Sequence, residues 1–321
     1  MNIQVLFTGG TIGSSMQGDY INTDRLAPFR LLSMYEQAEK EAGRSELLPH
    51  FDTAEPYSLL SENLTGHDLN RLIACLSDSI RGDYDGIIVT HGTDTLQYTA
   101  AALSLVFEDA GIPIVLVSSN YILDDARANG LVNFTQAVDF IRTAASEKRT
   151  GVYVSYCNYG ENPCIHNASA LLSHAAYDDK IRSLPPHLSH IAEAKDFLYD
   201  TYSSYNKHPA VAAEASAIYF KDPCPVLFIK AMPGQSYPVL QTHIKAALLE
   251  TYHSGTLCTT GSALSDFARL ADQKNIPVYV TGIENRTAYE STRQFLNLNL
   301  NILPACSPIY AYMLLWFMTS R

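Results

Sequence analysis

The chain has 321 residues, which is enough for about two domains. Apolar residues make up 47% of it, and this excludes a mainly disordered chain, a collagen-like fibre and a small disulfide-held scaffold. The 22 basic and 33 acidic residues give a net charge of −11, which argues against nucleic acid and an anionic membrane surface as partners.

Short apolar runs and amphipathic runs alternate along the chain. Most apolar runs are continuous, as is typical of strands covered on both faces of a parallel sheet. In chain order the predicted elements are a strand at Ile3–Phe7, a helix at Leu64–Arg81, a strand at Gly86–Thr90, a helix at Asp94–Ala110, strands at Pro113–Ser118, Gly151–Tyr156 and Pro225–Lys230, a helix at Ser236–Tyr252, a strand at Gly255–Thr259, a helix at Ser262–Lys274 and a strand at Pro277–Thr281. We therefore expect an α/β fold, with a mainly parallel sheet between helices in a larger N-terminal domain and a smaller C-terminal α/β domain.

The alternation breaks in a segment rich in proline, tyrosine and serine at 183–224. We place an N-terminal domain carrying the active site at 1–190, a linker at 191–214 and a C-terminal domain at 215–321. The ten apolar residues at 309–318 are too few for a bilayer span of about 20 residues. They predict a buried core helix or a subunit interface.

Two features bear on the compartment. The first predicted strand begins almost at residue 1, without the basic and apolar stretches of a secretory signal, so we expect a cytoplasmic protein. The six cysteines show no CxxC spacing, so we expect free thiols and no metal site.

Two polar segments follow predicted strands, where ligands bind in open parallel sheets. Residues 8–14, Thr-Gly-Gly-Thr-Ile-Gly-Ser, follow the first strand. They match neither a Walker loop nor a dinucleotide fingerprint, but they place the hydroxyl of Thr11 on a glycine-flanked turn. The alternative is a plain tight turn.

Residues 91–95, His-Gly-Thr-Asp-Thr, follow the strand at 86–90. An ionised Asp94 offers only acceptors and suits a ligand ammonium, with the hydroxyl of Thr93 beside it. The alternative is that Thr93 or Asp94 caps the next helix. Two hydroxyls, a carboxylate and glycine-rich backbone amides suit acyl transfer through a threonine nucleophile and an oxyanion hole.

Residues 8–12 and 91–95 together resemble the two signature motifs of the bacterial-type L-asparaginase family, and the chain is most similar to its cytoplasmic type I branch. The likeness extends to Ser61-Glu62-Asn63-Leu64-Thr65, to the helix at 98–103 and to 233–252, which begins with Pro233-Gly234. The resemblance implies two α/β domains and hydrolysis of the L-asparagine side-chain amide, with L-glutamine as a second candidate substrate. It also implies a homodimer or homotetramer, with neither metal nor cofactor.

The resemblance also implies roles for individual residues. Thr11 would be the nucleophile, and Tyr20 would orient and activate it. Thr93 would position the attacking group or a water, Asp94 would bind the substrate α-ammonium and Ser61 the α-carboxylate. The remaining substrate-binding positions are the backbone of Gly10, Glu62 and Ser119.

The chain departs from the family pattern at three places. The family has a lysine after the fourth strand, but no lysine or arginine occurs here between Thr150 and Asp179. Lys180 is the first, and His166 or His174 is a candidate substitute, unless these are ordinary loop histidines. The other departures are Ala128-Asn129-Gly130 and the segment at 307–311.

These departures leave three hypotheses open. The first is an active L-asparaginase. The second is an asparaginase-fold protein with impaired or altered catalysis that acts as an amino-acid-binding or assembly subunit. The third is a related amidohydrolase, such as a transamidation subunit that supplies ammonia from glutamine.

Overall fold

Eight strands and four helices form the first part of the chain in the computed structural model, which describes residues 1–24, 26–206, 218–284 and 289–321. The strands are β1 (Asn2–Phe7), β2 (Ser14–Gln17), β3 (Tyr20–Thr23), β4 (His50–Ala54), β5 (Gly86–Thr90), β6 (Pro113–Val117), β7 (Gly151–Tyr156) and β8 (Cys164–Asn167). The helices are α1 (Ala27–Glu41), α2 (Gly66–Ser79), α3 (Leu96–Val106) and α4 (Gly130–Glu147).

Six of these strands form one sheet in the order β4-β1-β5-β6-β7-β8. Every pairing is parallel except that of β7 with the edge strand β8. The predicted α/β class with a mainly parallel sheet is confirmed. Strands β2 and β3 form a separate antiparallel hairpin.

Continuous apolar runs form the centre of the sheet because both of its faces are covered. Every residue of β5 and β6 is buried. On one face, Val5 of β1 and Val115 of β6 share a hydrophobic cluster with Tyr35 of α1 and Phe134 of α4. This packing fixes the carboxyl ends of β1 and β5, where the two motifs begin.

The second part of the chain has its own parallel sheet. Its strands are β9 (Val226–Lys230), β10 (Ala246–Glu250), β11 (Val278–Thr281) and β12 (Asn301–Ile302), in the order β12-β11-β10-β9. Its helices are α5 (Ile191–Asn206), α6 (Ala263–Gln273), α7 (Glu290–Asn297) and α8 (Pro308–Thr319). The apolar run at 309–318 is thus a mainly buried helix. No helix in the described part of the chain is long and apolar enough to cross a membrane.

Two predicted elements are wrong. The helix expected at Ser236–Tyr252 is replaced by loop and by β10, in which Ala246–Leu249 is fully buried. Alanine and leucine favour helix locally, but pairing with β9 and β11 overrides that preference. The strand expected at Gly255–Thr259 is a turn and loop, and Gly255 has a φ of +77°.

The chain divides into two compact units, Met1–Ser183 and Leu184–Arg321. The division falls before the predicted linker at 191–214. That segment begins with α5, in which Ala194 and Leu198 are fully buried, so its first sixteen residues are structured rather than a linker. Residues 207–214 lie outside the described residues.

Candidate active site

The loop after β1 is held from both sides by hydrogen bonds. The Thr8 hydroxyl donates to the Thr90 carbonyl at 2.6 Å, and the Gly10 N–H donates to the Leu59 carbonyl at 2.8 Å. Gly10 has a φ of +71°, a conformation that favours glycine. Thr11 then begins a short 3₁₀ turn and is half-buried. The local sequence therefore holds its hydroxyl at the carboxyl edge of the sheet.

The loops that contain Gly10, Ser61 and Gly92 meet at this edge, and they pack so closely that neither glycine has room for a Cβ atom. A Cβ added to Gly10 would lie 2.3 Å from the Gly92 Cα, and one added to Gly92 would lie 2.3 Å from the Ser61 Oγ. The Thr95 hydroxyl also donates to the Ser61 carbonyl at 3.0 Å. The structure thus brings Gly10 and Ser61 together around Gly92, the residue before Thr93.

Thr93 and Asp94 lie in the turn between β5 and α3. Thr93 is half-buried and Asp94 is exposed. Neither side chain caps α3, because the capping position is Thr95 and the helix has no side-chain cap. The capping alternative is therefore wrong, and the Asp94 carboxylate faces solvent at the end of the sheet.

His91 is fully buried and bonded at both ring nitrogens. Its Nδ1 lies 2.8 Å from the Gly92 carbonyl oxygen, and its Nε2 lies 2.8 Å from the Thr99 hydroxyl. Burial lowers the pKa of His91 to about 4, so the imidazole is neutral near pH 7. Sequence reasoning assigned this residue no role, although its position inside the second motif is a signal that could have found it.

Two asparagines bind each other beside the predicted position Ser119. Asn120 N–H donates to Asn129 Oδ1 at 3.0 Å, and Asn129 N–H donates to Asn120 Oδ1 at 3.2 Å. Asn129 Nδ2 also donates to the Cys157 carbonyl at 2.9 Å. An aspartate at 129 could not make that last bond, so this departure from the family pattern suits its surroundings. The Ser119 hydroxyl donates a hydrogen bond to the Tyr121 carbonyl at 2.6 Å.

Two predicted site residues face solvent. Tyr20 lies on the β2–β3 hairpin with 62% of its surface exposed, and among the described residues its side chain forms no hydrogen bond with Thr11. Glu62 is exposed beside the buried Ser61. The hydroxyls of Thr11 and Tyr20 are therefore not hydrogen-bonded to each other in this conformation.

Lys180 does not replace the lysine that the family pattern predicts. Its Nζ donates to a Glu161 carboxylate oxygen, and both side chains are about half exposed. Asn158 donates to the same carboxylate at 3.0 Å. Lys180 thus belongs to a surface ion pair.

The two candidate histidines occupy different surroundings. His166 is 8% exposed, and its Nδ1 lies 3.0 Å from the Ser183 hydroxyl. His174 is half-buried. Burial lowers the pKa of His174, and the Asp94 carboxylate acts in the opposite direction. Of the two histidines, His174 is therefore the one whose pKa is raised by the negative charge of Asp94. The described residues contain no group of three or more acidic, cysteine or histidine side chains arranged to hold a metal.

The fold and these strand-end loops define an α/β protein with two threonines and a carboxylate at one edge of a parallel sheet. A family model described as the N-terminal part of asparaginase matches residues 2–175. The chain therefore belongs to the asparaginase family, and the resemblance drawn from the two motifs is confirmed.

The chain is similar to two kinds of named protein. It is 26% identical over 335 aligned positions to a subunit of glutamyl-tRNA(Gln) amidotransferase from Methanosphaera stadtmanae, covering 98% of this chain and 71% of that protein. It is 28% identical over 291 positions to L-asparaginase 1 of Escherichia coli K12, covering 87% and 79%. The crystal structure of L-asparaginase I from Vibrio cholerae shares the fold, with a TM-score of 0.69 and 22% identity over 100% of this chain and 93% of that one.

Proposed function

We propose that this protein is an amidohydrolase that converts the side-chain amide of L-asparagine to L-aspartate and ammonia, with Thr11 as nucleophile. The observation that carries the proposal is the close packing of Gly10, Gly92 and Ser61. This packing places the loop of Thr11 directly against the loop of Thr93. A substrate at this edge would meet both hydroxyls, as acyl transfer through a threonine requires.

The chemistry divides between the two loops. The Thr11 Oγ attacks the amide carbon, its proton passes to the departing nitrogen, and the C–N bond breaks to release ammonia. A water positioned by Thr93 then cleaves the resulting ester and restores the Thr11 hydroxyl. The Asp94 carboxylate holds the substrate α-ammonium and Ser61 holds the α-carboxylate, so the amide carbon is oriented toward Thr11.

The proposed activating role of Tyr20 requires a hydrogen bond with Thr11, which is not formed among the described residues in this conformation. Tyr20 lies on a hairpin that directly follows the Thr11 turn, so movement of the hairpin would cover the substrate and exclude water. A homodimer or homotetramer and a cytoplasmic location remain part of this proposal, on the strength of the family resemblance.

Ammonia release from L-asparagine and L-glutamine tests the proposal. Thr11→Ala should abolish release, because it removes the attacking oxygen. Thr143→Ala is the control, since Thr143 is an exposed threonine of α4 whose hydroxyl donates to the Phe140 carbonyl at 3.1 Å. Equal rates of ammonia release for wild type and Thr11→Ala would refute the assignment of Thr11 as nucleophile. Faster release from L-glutamine than from L-asparagine would show that glutamine is the preferred substrate.

A second candidate function is amino-acid binding without turnover, as one component of a larger assembly. It is favoured by the ion pair between Lys180 and Glu161, which leaves no lysine from 151–180 for Thr93. The similarity to an amidotransferase component supports the same alternative. It predicts no ammonia from the wild type, together with thermal stabilisation by L-aspartate that Asp94→Asn abolishes.

A further inference from the structure

The hydrogen bonds of His91 fix which of its nitrogens carries the proton. A carbonyl oxygen only accepts, so the 2.8 Å contact with the Gly92 oxygen requires a proton on Nδ1. Nε2 of the neutral ring then has a lone pair, and the Thr99 hydroxyl must donate to it at 2.8 Å. Thr99 is fully buried, so water does not compete for this bond. The order of donation is therefore Thr99 to His91 to Gly92.

This order also fixes the direction of the following amide. Among the described residues the single cis peptide is Asp222–Pro223, so the peptide joining Gly92 to Thr93 is trans. In a trans peptide the C=O and the N–H point in opposite directions. Because the Gly92 oxygen points at the His91 ring, the Thr93 N–H points away from it. Within the described residues the Thr93 N–H has no hydrogen-bond acceptor.

We infer that His91 is a positioning residue, which holds the Gly92 carbonyl so that the Thr93 N–H is aimed at the amide oxygen of the substrate. The inference rests on the proposed function, which supplies the oxygen that this N–H would meet. A preorganised backbone donor of this kind stabilises the negative charge that forms on the oxygen when the carbonyl carbon is attacked. The polar atoms of His91 are bonded to Gly92, Thr99, Val117 and Ser118 rather than to the nucleophile Thr11.

The surroundings of His91 suit a fixed role rather than proton transfer. Burial keeps the ring neutral near pH 7, and both nitrogens are already bonded. Its backbone is fixed as well, since the N–H donates to the Val117 carbonyl at 2.8 Å and the carbonyl accepts from the Ser118 hydroxyl at 2.7 Å. The ring can therefore orient the Gly92 peptide without moving.

Removal of the Thr99 hydroxyl tests this assignment. In Thr99→Val the Nε2 lone pair loses its donor, and the ring no longer has to keep its proton toward Gly92. We expect kcat to fall about tenfold, less than for deletion of an oxyanion donor, while KM stays within about twofold. Thr99→Ser keeps a hydroxyl and should restore most of kcat. The matched control is Thr319→Val, another fully buried helical threonine whose hydroxyl donates to a backbone carbonyl at 2.7 Å.

A kcat for Thr99→Val equal to that of Thr319→Val would overturn the inference. A second measurement does not depend on turnover: ¹⁵N spectra of histidine-labelled protein should show His91 protonated on Nδ1 and unchanged from pH 8 to pH 5. An Nε2–H ring, or titration near pH 6.5, would also overturn it. If the wild type releases no ammonia, the proposed function fails on its own. The inference then requires that Thr99→Val weaken L-aspartate binding at least threefold more than Thr319→Val, and equal affinities would refute it.

Discussion

Replacement of Gly10 by alanine should disrupt the contact between the two motif loops. The new Cβ would lie 2.3 Å from both the Cα and the N of Gly92, and these are backbone atoms that cannot rotate away. The positive φ of +71° at Gly10 adds strain of its own. Gly18 is the matched control, because it has a φ of +66° but no heavy atom within 4 Å of an added Cβ.

Both variants carry conformational strain, and Gly10→Ala adds a steric contact. A left-handed conformation costs alanine about 1–2 kcal/mol, and the loss of unfolded-state freedom returns about 0.4–1 kcal/mol. Gly18→Ala should therefore lower the free energy of unfolding by about 1 kcal/mol. Gly10 combines its positive φ with a ψ of −176°, a region essentially restricted to glycine, where alanine carries strain of about 1–3 kcal/mol. With an overpacking cost of about 1–3 kcal/mol in addition, we expect Gly10→Ala to lose a total of about 2–5 kcal/mol.

Urea unfolding of the wild type and the two variants measures these losses, and ammonia release measures the effect on the site. Gly10→Ala should lose activity together with stability, since the loop that carries Thr11 has to move. Gly18 lies in the turn of the hairpin that holds Tyr20. Gly18→Ala therefore serves as a control for the loss of stability and not for the loss of activity. An equal loss of stability for both variants would refute the argument that Gly10 and Gly92 need close contact.

Three further outcomes follow from single contacts. Asn129→Asp should cost about 1–3 kcal/mol of unfolding free energy, because the Cys157 carbonyl loses its 2.9 Å donor; unchanged urea unfolding would contradict this. Lys180→Met breaks an exposed pair with Glu161 worth about 0–1 kcal/mol and should leave kcat and KM within about twofold, whereas loss of turnover would place the ammonium in the site. The unfolded imidazole of His91 binds a proton below about pH 6.5 and the folded one only near its pKa of about 4, so stability falls as the pH drops through this window. By linkage, His91→Gln should reduce the loss between pH 7 and pH 4.5 by about 2–3 kcal/mol, and parallel pH curves would show that burial does not keep His91 neutral.

The sheet was predictable where burial leaves a signature in the sequence. β5 and β6 are covered on both faces, so each reads as a continuous apolar run. β4 and β8 are edge strands with mostly exposed or half-buried residues, and their sequences carry no such run. β10 is apolar but built from alanine and leucine, which local preference assigns to a helix, and only its two neighbouring strands reverse that preference.

The sequence predicts the functional side chains of the site but not the backbone contacts that position them. The hydroxyl of Thr11 and the carboxylate of Asp94 are visible in the two motifs. The contact partners are not, because Gly10 binds the carbonyl of Leu59, and every residue of a chain supplies a carbonyl. The approach of Gly10 to Gly92 has a weak signal in the glycines themselves, but their pairing across about 80 intervening residues requires the fold.

The absence of the lysine should affect substrate binding and turnover differently. Residues 151–179 supply neither lysine nor arginine, and burial keeps the pKa of His174 below its usual value, so this segment sets no fixed positive charge beside Asp94 near pH 7. The α-ammonium of a substrate would then meet the carboxylate without a competing cation, and binding needs no lysine. Activation of a threonine hydroxyl does need a proton acceptor, and an ammonium that favours the deprotonated hydroxyl is one of the ways to assist it. Loss of that charge should therefore reduce kcat while KM is preserved, and the ratio of the two constants is the quantity that distinguishes a slow amidohydrolase from an amino-acid-binding protein.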